Sequence, residues 1–172
     1  MKTSKQWLSE VKRDSNKFNN WLSQQWLAEE VAAKRILDLV GKTPFQKEKK
    51  ILTRISKDEV KHAELLKQLC NSRNISMATK STDRYYNQIE LDKLTQDQLY
   101  AIGHYAEGMR LSRIRAICED NEMPADIQQA FKTILKDEIM HEKAFGSIAS
   151  TSALNQMQNK HELGVAVLGL TL

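Results

Sequence analysis

The sequence predicts an all-α fold: a four-helix bundle with a long crossover between helices 2 and 3 and an internal pseudo-twofold repeat. Three observations lead there. Only two prolines and six glycines interrupt 172 residues, and so few breakers favour long helices. Apolar residues recur at steps of three and four through four long segments, which is the spacing of a single helical face. Two of those segments are echoed in the second half of the chain.

In the first segment Leu22, Trp26, Glu29, Ala33, Ile36 and Val40 share one stripe ahead of Gly41, which is expected to end the helix. A glutamate therefore stands in the middle of an apolar face. The second segment is expected to begin at Thr43-Pro44, a capping residue followed by proline in the first turn, and to run to about Asn71. A link from Ser72 to Leu94 follows, long enough to cross from one end of a bundle to the other. The third segment opens at Thr95 with Gln98 three residues on, a capping box, and runs to about Asp120. The fourth starts near Pro124 and continues to about Ser150. A single domain spanning 1–172 is expected, with its core at about 14–150 and residues 151–172 as a C-terminal extension. The apolar tail "LGVAVLGLTL" falls well short of the roughly 20 residues a spanning helix needs. It is expected to dock on the body or on another subunit, and a peripheral membrane contact is not indicated.

Composition excludes several classes. Cys70 and Cys118 are too few and too isolated for a disulfide framework or a zinc knuckle, and read as small buried hydrophobes. The polar start "MKTSKQWLSEVKRDSNKF" has no secretory character, so a cytoplasmic location is expected. The 26 basic and 22 acidic residues give +4 but are interleaved, and "QKEKK" and "SRIRAI" read as solvated helix faces. That patterning weighs against nucleic acid as a partner.

The halves match in detail. "AEEVAAKRI" (Ala28–Ile36) aligns with "AEGMRLSRI" (Ala106–Ile114), and "ISKDEVKH" with "ILKDEIMH", at offsets of 78 and 79 positions. Chance would supply about 0.3 Glu-x-x-His pairs given 13 glutamates and four histidines, yet two occur, each behind the same Lys-Asp. Residues at i and i+3 project from neighbouring turns of one face, close enough to share an ion. Each half thus offers a stripe glutamate, Glu29 or Glu107, and a Glu-x-x-His step, Glu59/His62 or Glu138/His141. Buried carboxylates need compensating charge, and a metal pair supplies it; oxygen with neutral imidazole nitrogen is a donor set that iron or manganese accepts. The bland alternative is two polar pairs on helix surfaces.

This pattern resembles the ferritin-like di-iron carboxylate superfamily, in which two helices of a bundle each give a Glu and two give Glu-x-x-His. The resemblance covers nearly all of Leu22–Ser150. It implies two iron ions, with manganese or a mixed pair as the other option. Glu59 and Glu138 would bridge them, Glu29 and Glu107 would be terminal carboxylates, and His62 and His141 would cap one metal each. Asp58 and Asp137 would orient the histidine of the opposite motif. Glu30 competes with Glu29 as first ligand, because "EVAAKRI" from Glu30 also resembles the first-ligand segment of demethoxyubiquinone hydroxylases. His104, one turn before Glu107, could lie near the site or be a hydrogen-bonded interior histidine, and His161 in "NKHE" is expected to be exposed.

Departures from familiar members narrow the expectation. The haem-ligating methionine that follows the bridging glutamate in bacterioferritin is Val60 here, with Ile139 in the second copy, so no haem is expected. The tyrosine of ferritin ferroxidase centres corresponds to Ile36, and the rubredoxin CxxC of many rubrerythrins is missing. What the resemblance implies is a centre like those of di-iron oxidases and monooxygenases such as demethoxyubiquinone hydroxylase and the tRNA-modifying hydroxylase. The expectation is a di-iron oxidoreductase acting with oxygen or peroxide on a small-molecule substrate, with an unidentified electron donor and a homodimer as a compatible assembly. The competing expectations are ferroxidase and iron storage, rubrerythrin-like peroxide removal, and a non-catalytic helical scaffold.

Overall fold

The computed structural model describes residues 2–82 and 84–169. Among them the regular elements are α1 (Ser4–Lys12), α2 (Ser15–Lys42), α3 (Gln46–Ser72), α4 (Gln96–Glu119), α5 (Ala125–Ile148) and α6 (Thr151–Val167), with two short 3-10 turns in the crossover. The all-helical bundle expected of a ferritin-like chain is what the structure shows. Two compact units are present: Ser9–Thr82 with Pro124–Ala130, and the described residues of Met1–Leu8, Asp83–Met123 and Phe131–Leu172.

The first unit is built on the α2/α3 hairpin. Asp14 caps α2, its carboxylate accepting from the N–H groups of Asn16 and Lys17 at 2.9 and 3.1 Å, an arrangement worth about 1 kcal/mol. The buried face of α2 carries Leu22, Glu29, Ala33, Ile36 and Leu39, and that of α3 carries Leu52, Ile55, Glu59, His62, Ala63, Leu66 and Leu69. Ser56 donates to the Ala33 carbonyl at 2.9 Å, which fixes the register of the pair.

The hairpin turn corrects the sequence reading. Gly41 lies inside α2, and Thr43 is the C-cap of α2, its N–H bonded to the Leu39 carbonyl, where it was expected to cap α3. Phe45 precedes α3 in an extended conformation and gives no side-chain cap. With Pro44 and Phe45 both ahead of the helix, Thr43 is too far back for N-cap geometry, and its hydroxyl instead donates to Glu48 in the first turn of α3 at 2.8 Å. At its other end α3 closes as a Schellman motif. Asn74 takes φ 54°, its N–H reaches Asn71 O, and Ile75 N–H reaches Cys70 O, the left-handed terminus that asparagine tolerates better than most residues. The crossover then lies along α2: Ser23 bonds to Ser76 O and Ala78 N, and Gln24 to Lys80 O and Thr82 N.

In the second unit α4 opens with the capping box read from the sequence; both the Thr95 and Gln98 bonds are present. α6 packs on α4 around a core of Ile102, Ala106, Ala153, Met157 and Val165 that includes Tyr85 and Ile89 from the crossover. Ser150 caps α6 and also bonds through N–H and hydroxyl to the Asp97 carboxylate at 2.8 and 2.6 Å. The tail docks on its own unit through Gly164 and Val165, both buried; its last residues, 170–172, lie outside those described. His161, expected at the surface, is only 5% exposed. Its Nδ1 lies 2.9 Å from the Tyr85 hydroxyl and its ring stacks on Tyr105 at 4.8 Å, so the crossover and α6 close over a polar residue that the neighbouring "NK" and "E" disguised. Among the described residues no helix is long and apolar enough to cross a membrane.

Candidate metal centre

Each unit brings together one triad. In the first, α2 carries Glu29 and α3 carries Glu59 and His62, and one ligand atom from each lies within 4.8 Å of the others. Glu29 and Glu59 are 0% exposed and His62 is 2% exposed. In the second, α4 carries Glu107 and α5 carries Glu138 and His141, again with ligand atoms within 4.8 Å and all three buried. The Glu-x-x-His step has the same geometry in both copies, with Glu Oε2 to His Nδ1 at 3.6 Å. Two neighbouring turns of one helix face produce this separation.

Glu29 points inward and Glu30 is exposed, as the apolar stripe and the internal repeat both imply for this helix. His104 does not join the triad: its Nδ1 lies 3.0 Å from Glu142 O and 3.4 Å from Glu142 Oε1, so its ring is held by α5. Asp58 is buried and gathers cations of its own helix, Lys61 Nζ at 2.6 Å and Arg54 Nε at 3.9 Å. Asp137 is half-buried. One neighbour was given no role in the sequence reading: Arg110, one turn beyond Glu107, places its guanidinium 3.3 Å from Glu138 Oε1. Its i+3 spacing from Glu107 was the available signal.

Close helix approach supports the second triad. A Cβ on Gly103 of α4 would stand 2.7 Å from Cδ1 of Phe145 on α5, so glycine is what lets the two backbones meet one turn from Glu107 and His141. The donor set fits a divalent metal. Each triad offers carboxylate oxygen plus an imidazole nitrogen in a buried setting, hard to borderline donors of the kind iron and manganese take, and a cation offsets the cost of burying the carboxylates. Sulfur is not among the donors, and the thiols of Cys70 and Cys118 are both raised by burial, as befits packing residues.

Residues 1–165 match the model of the family described as tRNA-(MS[2]IO[6]A)-hydroxylase (MiaE). The chain belongs to the MiaE family. That family is a ferritin-like di-iron one, so the resemblance seen in the two Glu-x-x-His copies holds. Its members are hydroxylases, which places this chain among enzymes and makes the monooxygenase expectation the right one at that coarse level. The MiaE family name also carries a tRNA substrate, which removes the ground from reading the interleaved charge as a reason against nucleic acid. No curated protein and no solved structure matches the chain.

Proposed function

We propose that this chain is a dinuclear-iron hydroxylase that replaces a C–H bond of a modified nucleoside in tRNA with C–OH. The carrying observation is the pair of buried triads in a chain that the hydroxylase family matches over 165 of its residues. In this reading the six side chains would hold one metal pair, with Glu59 and Glu138 as the shared carboxylates, Glu29 and Glu107 as the terminal ones, and His62 and His141 giving one nitrogen to each ion. When reduced, such a pair supplies the activation of molecular oxygen. One oxygen atom would enter the substrate and the other would leave as water, with an external reductant providing the electron pair and solvent the two protons.

The protein's own contribution is placement and exclusion of water. Burial around both triads keeps bulk solvent from competing for the oxygen ligands. Arg110 holds the Glu138 carboxylate where a cation is required. Asp58 and Asp137 would each orient the histidine of the opposite motif, which would keep a nitrogen lone pair directed at the metal.

The test is direct. Iron-reconstituted protein is given tRNA from cells, a reductant and isotopically labelled oxygen, and the digested nucleosides are read by mass spectrometry. One labelled oxygen in a single modified nucleoside supports the reading. Oxygen consumption with mineral iron accumulating on the protein and no labelled nucleoside contradicts it.

A further inference from the structure

The outer face of α3 carries a feature that the metal site does not use. Lys47, Lys50, Arg54, Lys57 and Lys61 are all exposed and follow one another at steps of three and four. At 1.5 Å per residue they form one stripe about 21 Å long. No fully exposed carboxylate interrupts it. Glu48 is half-buried and accepts from Thr43, and Asp58 and Glu59 are buried. Asp58 offsets part of the charge of Arg54 and Lys61, which it pairs with at 3.9 and 2.6 Å, but those side chains stay 76% and 72% exposed and Lys47, Lys50 and Lys57 complete the stripe.

The internal repeat supplies a control. At the offset of 79 that superposes the two Glu-x-x-His steps, the stripe positions in α5 are Asp126, Gln129, Thr133, Lys136 and Met140. Both copies keep the ligand residues, but only α3 keeps the five cations, so general solubility of a bundle helix does not account for them. Charge is biased the same way overall: residues 9–82 hold 15 of the 26 basic side chains and 9 of the 22 acidic ones. The excess positive charge of the protein therefore lies in the α2/α3 unit.

We infer that the Lys47-Lys50-Arg54-Lys57-Lys61 stripe of α3 is the track on which the sugar-phosphate backbone of tRNA docks. A row of cations at regular spacing with no exposed carboxylate between them fits a polyanion of regular charge spacing, and contacts of this kind position a substrate without reading its sequence. Glu59 and His62 lie on the inner side of the same helix, so phosphates bound outside register the nucleic acid against a rigid element that also carries metal ligands. The inference rests on the tRNA reading above.

The experiment compares wild type with two charge-matched triple variants, all iron-loaded, by fluorescence anisotropy with labelled tRNA across a salt series. Lys47→Gln/Lys50→Gln/Lys57→Gln removes three stripe cations and leaves the partners of Asp58; Lys132→Gln/Lys136→Gln/Lys143→Gln removes three from α5. Glutamine keeps helix propensity, and circular dichroism with iron content confirms that folding and metal loading persist. The stripe variant is expected to lose on the order of 100-fold in affinity at about 0.1 M salt and to flatten the slope of log K against log salt by about 2 to 3, whereas the α5 variant loses only a few fold. Wild type binding tRNA with both triples weakened alike, or neither weakened, overturns the docking track and leaves the hydroxylase reading standing. Wild type that binds no tRNA at any salt overturns both. Stripe-dependent binding to phosphatidylglycerol vesicles with no binding to tRNA assigns the stripe to a membrane surface and likewise overturns the inference.

Discussion

On α5, Glu138 Oε2 lies 3.6 Å from His141 Nδ1 while the other Glu138 oxygen lies 3.3 Å from the Arg110 guanidinium. One fully buried carboxylate is thus shared between an imidazole that can serve a metal and a cation fixed by the fold. Removing the cation exposes how much the protein relies on it when no metal is bound. Arg110→Gln is expected to destabilise the metal-free protein by about 3 kcal/mol, the scale for breaking a buried ion pair from one side, and the metal-loaded protein by distinctly less, because bound ions then balance Glu138 and add their own linkage. Denaturant midpoints with and without iron measure this; an equal loss in both states contradicts the role given to Arg110.

Acid sensitivity follows from His161. Its burial pushes the imidazole below its ordinary value of 6.5, nearby His104 pushes the same way, and Glu162 opposes them. A histidine whose folded pKa is depressed takes up its proton more readily when unfolded, so stability is lost as pH falls through the unfolded value. Wild type should therefore lose more stability than His161→Gln on going from about pH 7.5 to about pH 5.5. Urea midpoints at the two pH values decide it, and equal losses would show that the Tyr85-His161 contact is indifferent to the proton.

Two glycines set how closely helices and crossover approach. A Cβ on Gly164 would meet Cδ2 of Tyr85 at 2.7 Å, and one on Gly103 would meet Phe145 at the same distance. Overpacking of this kind costs about 1–3 kcal/mol. Gly164→Ala should lower the melting temperature without altering iron stoichiometry, because it disturbs the crossover and α6 alone. Gly103→Ala should do both, since the displaced contact lies one turn from Glu107 and His141. Identical metal binding in the two variants would contradict the placement of the second triad.

Much of this was readable from residues. The Thr95/Gln98 box marked the start of α4, and the stripe holding Glu29 marked the buried face of α2, because both signals are local and depend on side-chain spacing alone. Thr43 was misplaced because a threonine before a proline suits either helix end, and only the length of the turn decides. His161 was misjudged because its sequence neighbours are polar while its partners, Tyr85 and Tyr105, come from distant segments. The basic stripe of α3 was hidden in plain view: "QKEKK" looks mixed when read along the chain, and becomes single-signed only when the helix turns Glu48 aside and buries Asp58 and Glu59. Arg110 shows the same limit, since its value comes from a carboxylate on another helix.

The central claim is that two triads hold one metal pair through Glu59 and Glu138. It is tested most directly by counting iron per chain in wild type, Glu59→Ala and Glu138→Ala after reconstitution under identical conditions, together with the magnetic coupling between ions seen in spectroscopy. The account predicts coupled iron in a ratio of about two per chain in wild type and loss of the coupled pair in either variant. Retention of the coupled pair by both variants, or independent loading of one uncoupled ion by each triad, would contradict it.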